Sequence, residues 1–154
     1  MKTQEKIATG NNVMVQSLNG FLADMQVFYQ NLRGMHWNVE GPLFFQLHEK
    51  FEEFYNKTAD QIDEVAERIR MYDQEPLHAF SDYLSVAELE EIKHVSDGRK
   101  AAGYVLQQSD DLLTKMNQIL AKANASDDEA TSALFSDLIR DFEKRNWMLR
   151  SFLK

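Results

Sequence analysis

The chain has 154 residues, a formal net charge of -8, 44% hydrophobic residues and no cysteine. This length fits one domain over residues 1–154 able to bury a core, the lack of cysteine excludes disulfides and thiolate metal sites, and the acidic balance disfavours general nucleic-acid binding, which depends on neutralising phosphates. No apolar run approaches the roughly 18 residues that span a bilayer, and MKTQEKIATG lacks the layout of a signal peptide, so a cytoplasmic protein with no membrane association is expected.

Residues 1–10 are expected as a flexible tail. From about 11 to 38, Leu18, Phe21, Leu22, Met25, Phe28, Tyr29, Leu32 and Met35 recur at the three-and-four spacing of an amphipathic helix. NVEGPLF breaks the pattern, with Pro42 placed to open a second helix. The turn is short, so the two helices run antiparallel. The second should continue to about Tyr72 and bury Phe44, Leu47, Phe51, Phe54, Tyr55, Ile62, Val65, Ala66 and Ile69. From Asp73 to Asp97 periodicity falters and Pro76 blocks a continuous helix, which predicts a long crossover. A short helix is expected inside it, from Ser81 to Glu91, capped by Ser81 or Ser85. A third helix follows from about Gly98 to Ala123 with Val105, Leu112, Met116, Ile119 and Leu120 inward. ANASDDEA then supplies a break and an N-cap, and Asp127, Asp128 and Glu129 suit the dipole of a fourth helix from about Asp128 to Phe152. Its inward face is Leu134, Phe135, Leu138, Ile139, Phe142 and Leu149. The prediction is an all-α, ferritin-like four-helix bundle with a short extra helix in the long crossover between its second and third helices. That topology alone fixes no function.

Four residues stand out as metal ligands: His36, His48, Asp63 and Glu67. Taken singly, His36 reads as a hydrogen-bonded core histidine. Asp63 and Glu67 read as a solvated face with Arg68 and Arg70 as surface partners. Together they form a nitrogen-and-oxygen set suited to ferrous iron. Asp63 and Glu67, four apart, project from one helical face. His48 lies fifteen residues before Asp63, roughly 22 Å along the same helix at about 1.5 Å per residue. One chain cannot close such a site. Two copies packed antiparallel about a two-fold axis would bring His48 of each beside Asp63 and Glu67 of the other, forming two identical sites. Glu49, Glu52 and Glu53 flank His48, either as a solvated face or as secondary iron ligands and a mineral-seeding patch. Glu75 with His78, and Glu91 with His94, repeat the Glu-x-x-His spacing of in-bundle di-iron sites. The first spans Pro76 and the second lies in the crossover, so both matches read as accidental. Trp37 and Trp147 are expected as packing residues, although Trp37, beside His36, is also placed to be quenched by bound metal and to trap oxidising equivalents.

The stretches NLRGMHWNVEGPLFFQLHEKFEEFY, DQIDEVAERI and EKRNWMLRSFL, in that order, resemble the Dps family of miniferritins, the DNA-protection-during-starvation proteins, over nearly the whole chain. The resemblance implies an intersubunit ferroxidase centre in which His36, His48, Asp63 and Glu67 hold iron. Glu52 then resembles a supplementary ligand, and Glu49 with Glu53 the mineral-nucleating acids. It also implies a hollow homo-dodecamer built from two-fold dimers that oxidises ferrous iron, preferably with hydrogen peroxide rather than O2, stores ferric mineral and protects against oxidative damage. The fourth helix closes the chain with no room for the fifth helix of larger ferritins, in keeping with a dodecamer. DNA-condensing members often carry a mobile basic tail, whereas this N-terminus offers Lys2 and Lys6 near Glu5, so DNA binding is expected to be weak or absent. The alternative is a DNA-binding, nucleoid-compacting protein with incidental iron binding.

Overall fold

The computed structural model describes residues 2–154, with side chains from Asn12 onward. The flexible tail expected over 1–10 is instead helical from Lys2 onward, and the side chains of Lys2, Glu5 and Lys6 fall outside those described. The apolar stripes become the inner faces of α1 (Lys2–Asn38), α2 (Phe44–Met71), α4 (Gly98–Ala125) and α5 (Glu129–Leu153), while α3 (Phe80–Val86) sits in the crossover. α1 packs on α2 and α4 on α5 as two hairpins, joined mainly through α1 against α4. Aromatic pairs cross the core, Phe21 on Phe135 at 5.3 Å and Phe28 on Phe142 at 6.0 Å. The inward residues expected on each helix are buried or half-buried. Among the described residues no helix is long and apolar enough to cross a membrane.

The α1–α2 turn depends on Gly41, whose φ of 97° lies where residues with a Cβ are strained. Pro42 stays in this turn instead of opening the helix, and Leu43 occupies the N-cap position without a side-chain hydrogen bond. Opposite the turn, the Glu40 N–H donates to the Ser96 carbonyl at 2.9 Å. α4 begins beside it, its N-cap Asp97 accepting from the Lys100 N–H at 2.9 Å. A Cβ on Gly98 would stand 2.9 Å from the Leu47 side chain, so glycine lets the start of α4 lie directly on the start of α2.

The crossover differs from expectation at its helix. α3 covers Phe80–Val86 rather than Ser81–Glu91, and Ala79, extended at φ -113° and ψ 141°, is its N-cap in place of Ser81 or Ser85. The cause of the early stop is visible on α1. Asp24 accepts from the N–H groups of Glu88 and Leu89 at 2.8 and 2.9 Å, which draws the backbone out of the helix just past Val86. Asn19 accepts from Leu77 N–H at 2.9 Å, and Asn31 from Ile92 N–H at 2.9 Å. Asn31 also donates to the Glu90 carbonyl at 2.9 Å and to Gln108 at 3.0 Å. Polar side chains on α1 thus satisfy the backbone groups that a neighbouring strand would otherwise satisfy. Asp24 is 1% exposed and also binds Lys115. Asp24→Ala orphans two crossover N–H groups, while Lys115 keeps Glu88 at 3.4 Å, and at about 1–3 kcal/mol per unsatisfied donor should cost about 2–6 kcal/mol. Denaturant unfolding measures this. A loss below about 1 kcal/mol would mean that water replaces the carboxylate.

α5 starts at Asp128, which accepts from the Thr131 N–H at 3.2 Å as its N-cap. The same carboxylate accepts from Tyr72 and, at 3.1 Å, from Arg68 at the end of α2. Burial pushes the Asp128 carboxyl up, but hydrogen bonds from Tyr72 and Thr131, with the Arg68 charge, outweigh it and hold the carboxyl below its ordinary range. Arg68 is therefore committed to Asp128, and Arg70 donates to the Gln74 carbonyl at 3.0 Å. Neither is the surface partner foreseen for Asp63 or Glu67.

Candidate metal centre

His36 stands in the last turn of α1 and His48 in the second turn of α2, and the short connection folds them onto each other. Their rings stack at 3.9 Å between centroids with 12° between planes. His36 Nδ1 lies 2.5 Å from the His48 carbonyl oxygen, and His48 Nδ1 lies 2.8 Å from the His36 carbonyl oxygen. A carbonyl oxygen only accepts, so each Nδ1 carries the hydrogen, and in the neutral imidazole each Nε2 keeps its lone pair. That is the tautomer that a metal bound at Nε2 requires, set by partners outside the coordination shell. His36 is 6% exposed and His48 is half-buried. The ring of Phe44 stacks on His48 at 4.8 Å and 23°, and the Tyr55 ring meets His36 edge-on at 5.3 Å.

Asp63 and Glu67 are exposed on α2, one turn apart. Among the described residues no ion pair or hydrogen bond engages either, and no three His, Asp or Glu side chains converge on a point. The chain brings the imidazoles together and the carboxylates together, but holds the two pairs apart. Of the flanking acids, Glu53 pairs with Lys50 at 2.8 Å, and Glu52 accepts from the Tyr55 hydroxyl at 3.4 Å. Burial, then the Glu52 charge, push the Tyr55 phenol up, so it remains the donor. Glu49 is exposed. Glu75 and His78 meet at 3.6 Å on the crossover surface, while His94 adopts φ 59° beyond α3, so both Glu-x-x-His matches lie off the long helices. Trp37 and Trp147 are 55% and 58% exposed in the single chain, not core packing residues as expected. The Arg33 guanidinium sits 5.0 Å from the Trp37 ring and 5.8 Å from that of Tyr55.

Phe44 and Tyr55 were legible only as core positions, yet both touch the imidazoles. Arg33 carried no signal beyond standing one turn before His36. Phe44 at four before His48, and Tyr55 at seven after it, share its helical face.

A ferritin-like domain model matches residues 15–154. The chain is also 36% identical to DNA protection during starvation protein 2 of Bacillus anthracis over 143 residues, which is 93% of this chain and 98% of that protein. The chain belongs to the Dps family of ferritin-like proteins. The DNA protection during starvation protein of Porphyromonas gingivalis is 40% identical over 139 residues, 90% of this chain and 87% of that one. Among solved structures, the Dps protein of Vibrio cholerae O1, described as a member of a broad superfamily of ferritin-like diiron-carboxylate proteins, has a TM-score of 0.93 at 44% identity. The match covers 95% of this chain and 92% of that one. The five-helix, all-α arrangement is therefore the Dps form of the ferritin-like fold, and the crossover with its short helix belongs to it.

Proposed function

We propose that this Dps-family chain is a cytoplasmic ferroxidase that sequesters iron. Ferrous iron binds between two copies, held by Nε2 of His36 and His48 from one and by the carboxylates of Asp63 and Glu67 from the other. The observation that carries this reading is the paired imidazole clamp. Both Nδ1 atoms are spent on main-chain carbonyls, so both Nε2 atoms are available, while Asp63 and Glu67, exposed and without a hydrogen bond or ion pair among the described residues, begin about 22 Å away along the same helix. A second copy supplies the missing acids with no change in either fold.

The ligand chemistry agrees with the reaction. Imidazoles accept ferrous iron, and carboxylates favour the more highly charged ferric product. Two ferrous ions each give one electron to hydrogen peroxide, the O–O bond breaks, and two protons complete two waters. Glu52 or water would assist a second, weaker iron position, and Glu49 with Glu53 would seed ferric mineral in the hollow of a dodecamer built from two-fold dimers. Peroxide is the preferred oxidant over O2. The net charge of -8 favours cation entry and opposes contact with phosphates, so DNA compaction is not part of this reading.

The test is an anaerobic ferrous titration followed by a peroxide pulse, with assembled mass measured on the same sample. Iron should saturate at two strong sites per dimer, as two-fold symmetry requires, and one peroxide should be consumed for each pair of ferrous ions. An isolated monomer with full activity, or a wild-type assembly that takes up no iron, would overturn the reading.

A further inference from the structure

We propose that Phe44 is a positioning residue of the metal centre, a flat cap that fixes the plane of His48 so that Nε2 stays aimed at the shared site. The inference rests on the reading of His36 and His48 as ligands. The hydrogen bond from His48 Nδ1 to the His36 carbonyl, 2.8 Å long, anchors one corner of the ring. A single anchor still allows the ring to swing about it, and the atom displaced most is Nε2, across the ring. Stacking removes that freedom. His36 covers one face at 3.9 Å, and Phe44, which makes no ring contact with His36, covers the other at 4.8 Å.

His48 is the ligand that needs this support. His36 is 6% exposed at the end of a long helix, braced by Tyr55. His48 is half-buried near the start of α2, where the N-cap Leu43 makes no side-chain hydrogen bond, so the first turn depends on packing for its order. Phe44 opens that turn and lies one turn before His48, so its ring holds the helix start and the ligand at once. It is not a core-filling residue in the manner of Leu47 and Phe51, which are 3% and 0% exposed, because Phe44 is only half-buried. Its neighbour Phe45, 82% exposed, touches the ring of Phe44 edge-on at 5.4 Å and makes no ring contact with His48. Phe45 is therefore an internal control of the same chemistry at the next position.

Anaerobic Co(II) titration of the assembled protein, read by visible absorption, separates positioning from bulk. Phe44→Leu keeps an apolar side chain but lacks a flat face. It should weaken Co(II) binding on the order of 10-fold, the lower range for changes around a metal's ligands, and shift the ligand-field bands. Phe44→Tyr should restore both, and Phe45→Leu should match the wild type. Phe44→Met, a flexible aliphatic replacement, gives the same comparison where Phe44→Leu fails to assemble. Wild-type affinity in either aliphatic variant would overturn the proposal, as would a Phe44→Tyr protein as weak as Phe44→Leu. Absence of Co(II) binding in the wild type would instead sink the ligand assignment itself, which keeps the two failures distinct.

Discussion

Asp63→Ala is expected to slow rapid peroxide-driven iron oxidation by at least the order of 10–100-fold seen for changes around metal sites, with folding and assembly close to wild type. The contrast follows from its surroundings. Asp63 is exposed, and no ion pair or hydrogen bond among the described residues uses it, so its removal breaks nothing within the chain. Alanine is also the better helix former, and surface substitutions of this kind usually stay within about 0.5 kcal/mol. A residue with no structural partner and a large effect on rate must act on something outside its own chain. Stopped-flow absorbance of ferric product after a peroxide pulse, beside thermal unfolding of the same samples, checks both halves. Glu67→Ala should behave alike. His48→Ala is a less clean probe, because it also removes the hydrogen bond to the His36 carbonyl. An unchanged rate in Asp63→Ala would return that carboxylate to the solvated face that its sequence context equally allows.

What the sequence made legible was periodic, and what it concealed depended on main-chain partners. The stripes of Leu18 to Met35 and Phe135 to Leu149 predict buried faces because a helix repeats every 3.6 residues whatever lies opposite. Within the first stripe, however, Asp24 and Asn31 are buried for a different reason: their oxygens accept crossover N–H groups more than fifty residues away in sequence. No local pattern records that pairing, and it also decides where α3 ends. Arg145 in EKRNWML is a second case. It is 3% exposed, bonded to Asp141 at 3.1 Å and Thr58 at 3.2 Å, and lies 4.8 and 4.4 Å from the rings of Phe54 and Phe142. Burial pushes its pKa down to about 10, against the opposing pull of Asp141, and the guanidinium still stays charged at neutral pH. From composition alone an arginine beside Lys144 reads as surface. At the candidate centre, the four proposed ligands were singled out by residue type and spacing, but the paired histidine clamp required knowing that a carbonyl of each histidine faces the ring of the other.

The proposed sharing of the centre between copies predicts an outcome that no single-chain site can imitate. A double variant His36→Ala with His48→Ala lacks imidazoles but keeps its acids, and Asp63→Ala with Glu67→Ala lacks acids but keeps the clamp. Each should be inactive alone. When the two are dissociated, mixed and reassembled, a dimer with one copy of each has one dead site, lacking all four groups, and one complete site. With equal amounts and random pairing, half of the dimers are mixed and each regains one of two sites, so about a quarter of wild-type fast oxidation should return. The yield should follow the mixing ratio as the product of the two fractions. The two double variants also differ in risk: the loss of both histidines removes two hydrogen bonds and a ring stack at the α1–α2 turn, so unfolding of that protein must be measured before mixing. Substituting Gln at both positions retains hydrogen-bonding side chains there and provides the same test. Activity that stays at the level of the separate variants after verified co-assembly would place all the ligands of each site within one chain. Recovery without mixed assembly would show that oxidation proceeds elsewhere. Recovery that scales with the product of the fractions is the result that only an imidazole pair and a carboxylate pair from different copies can give.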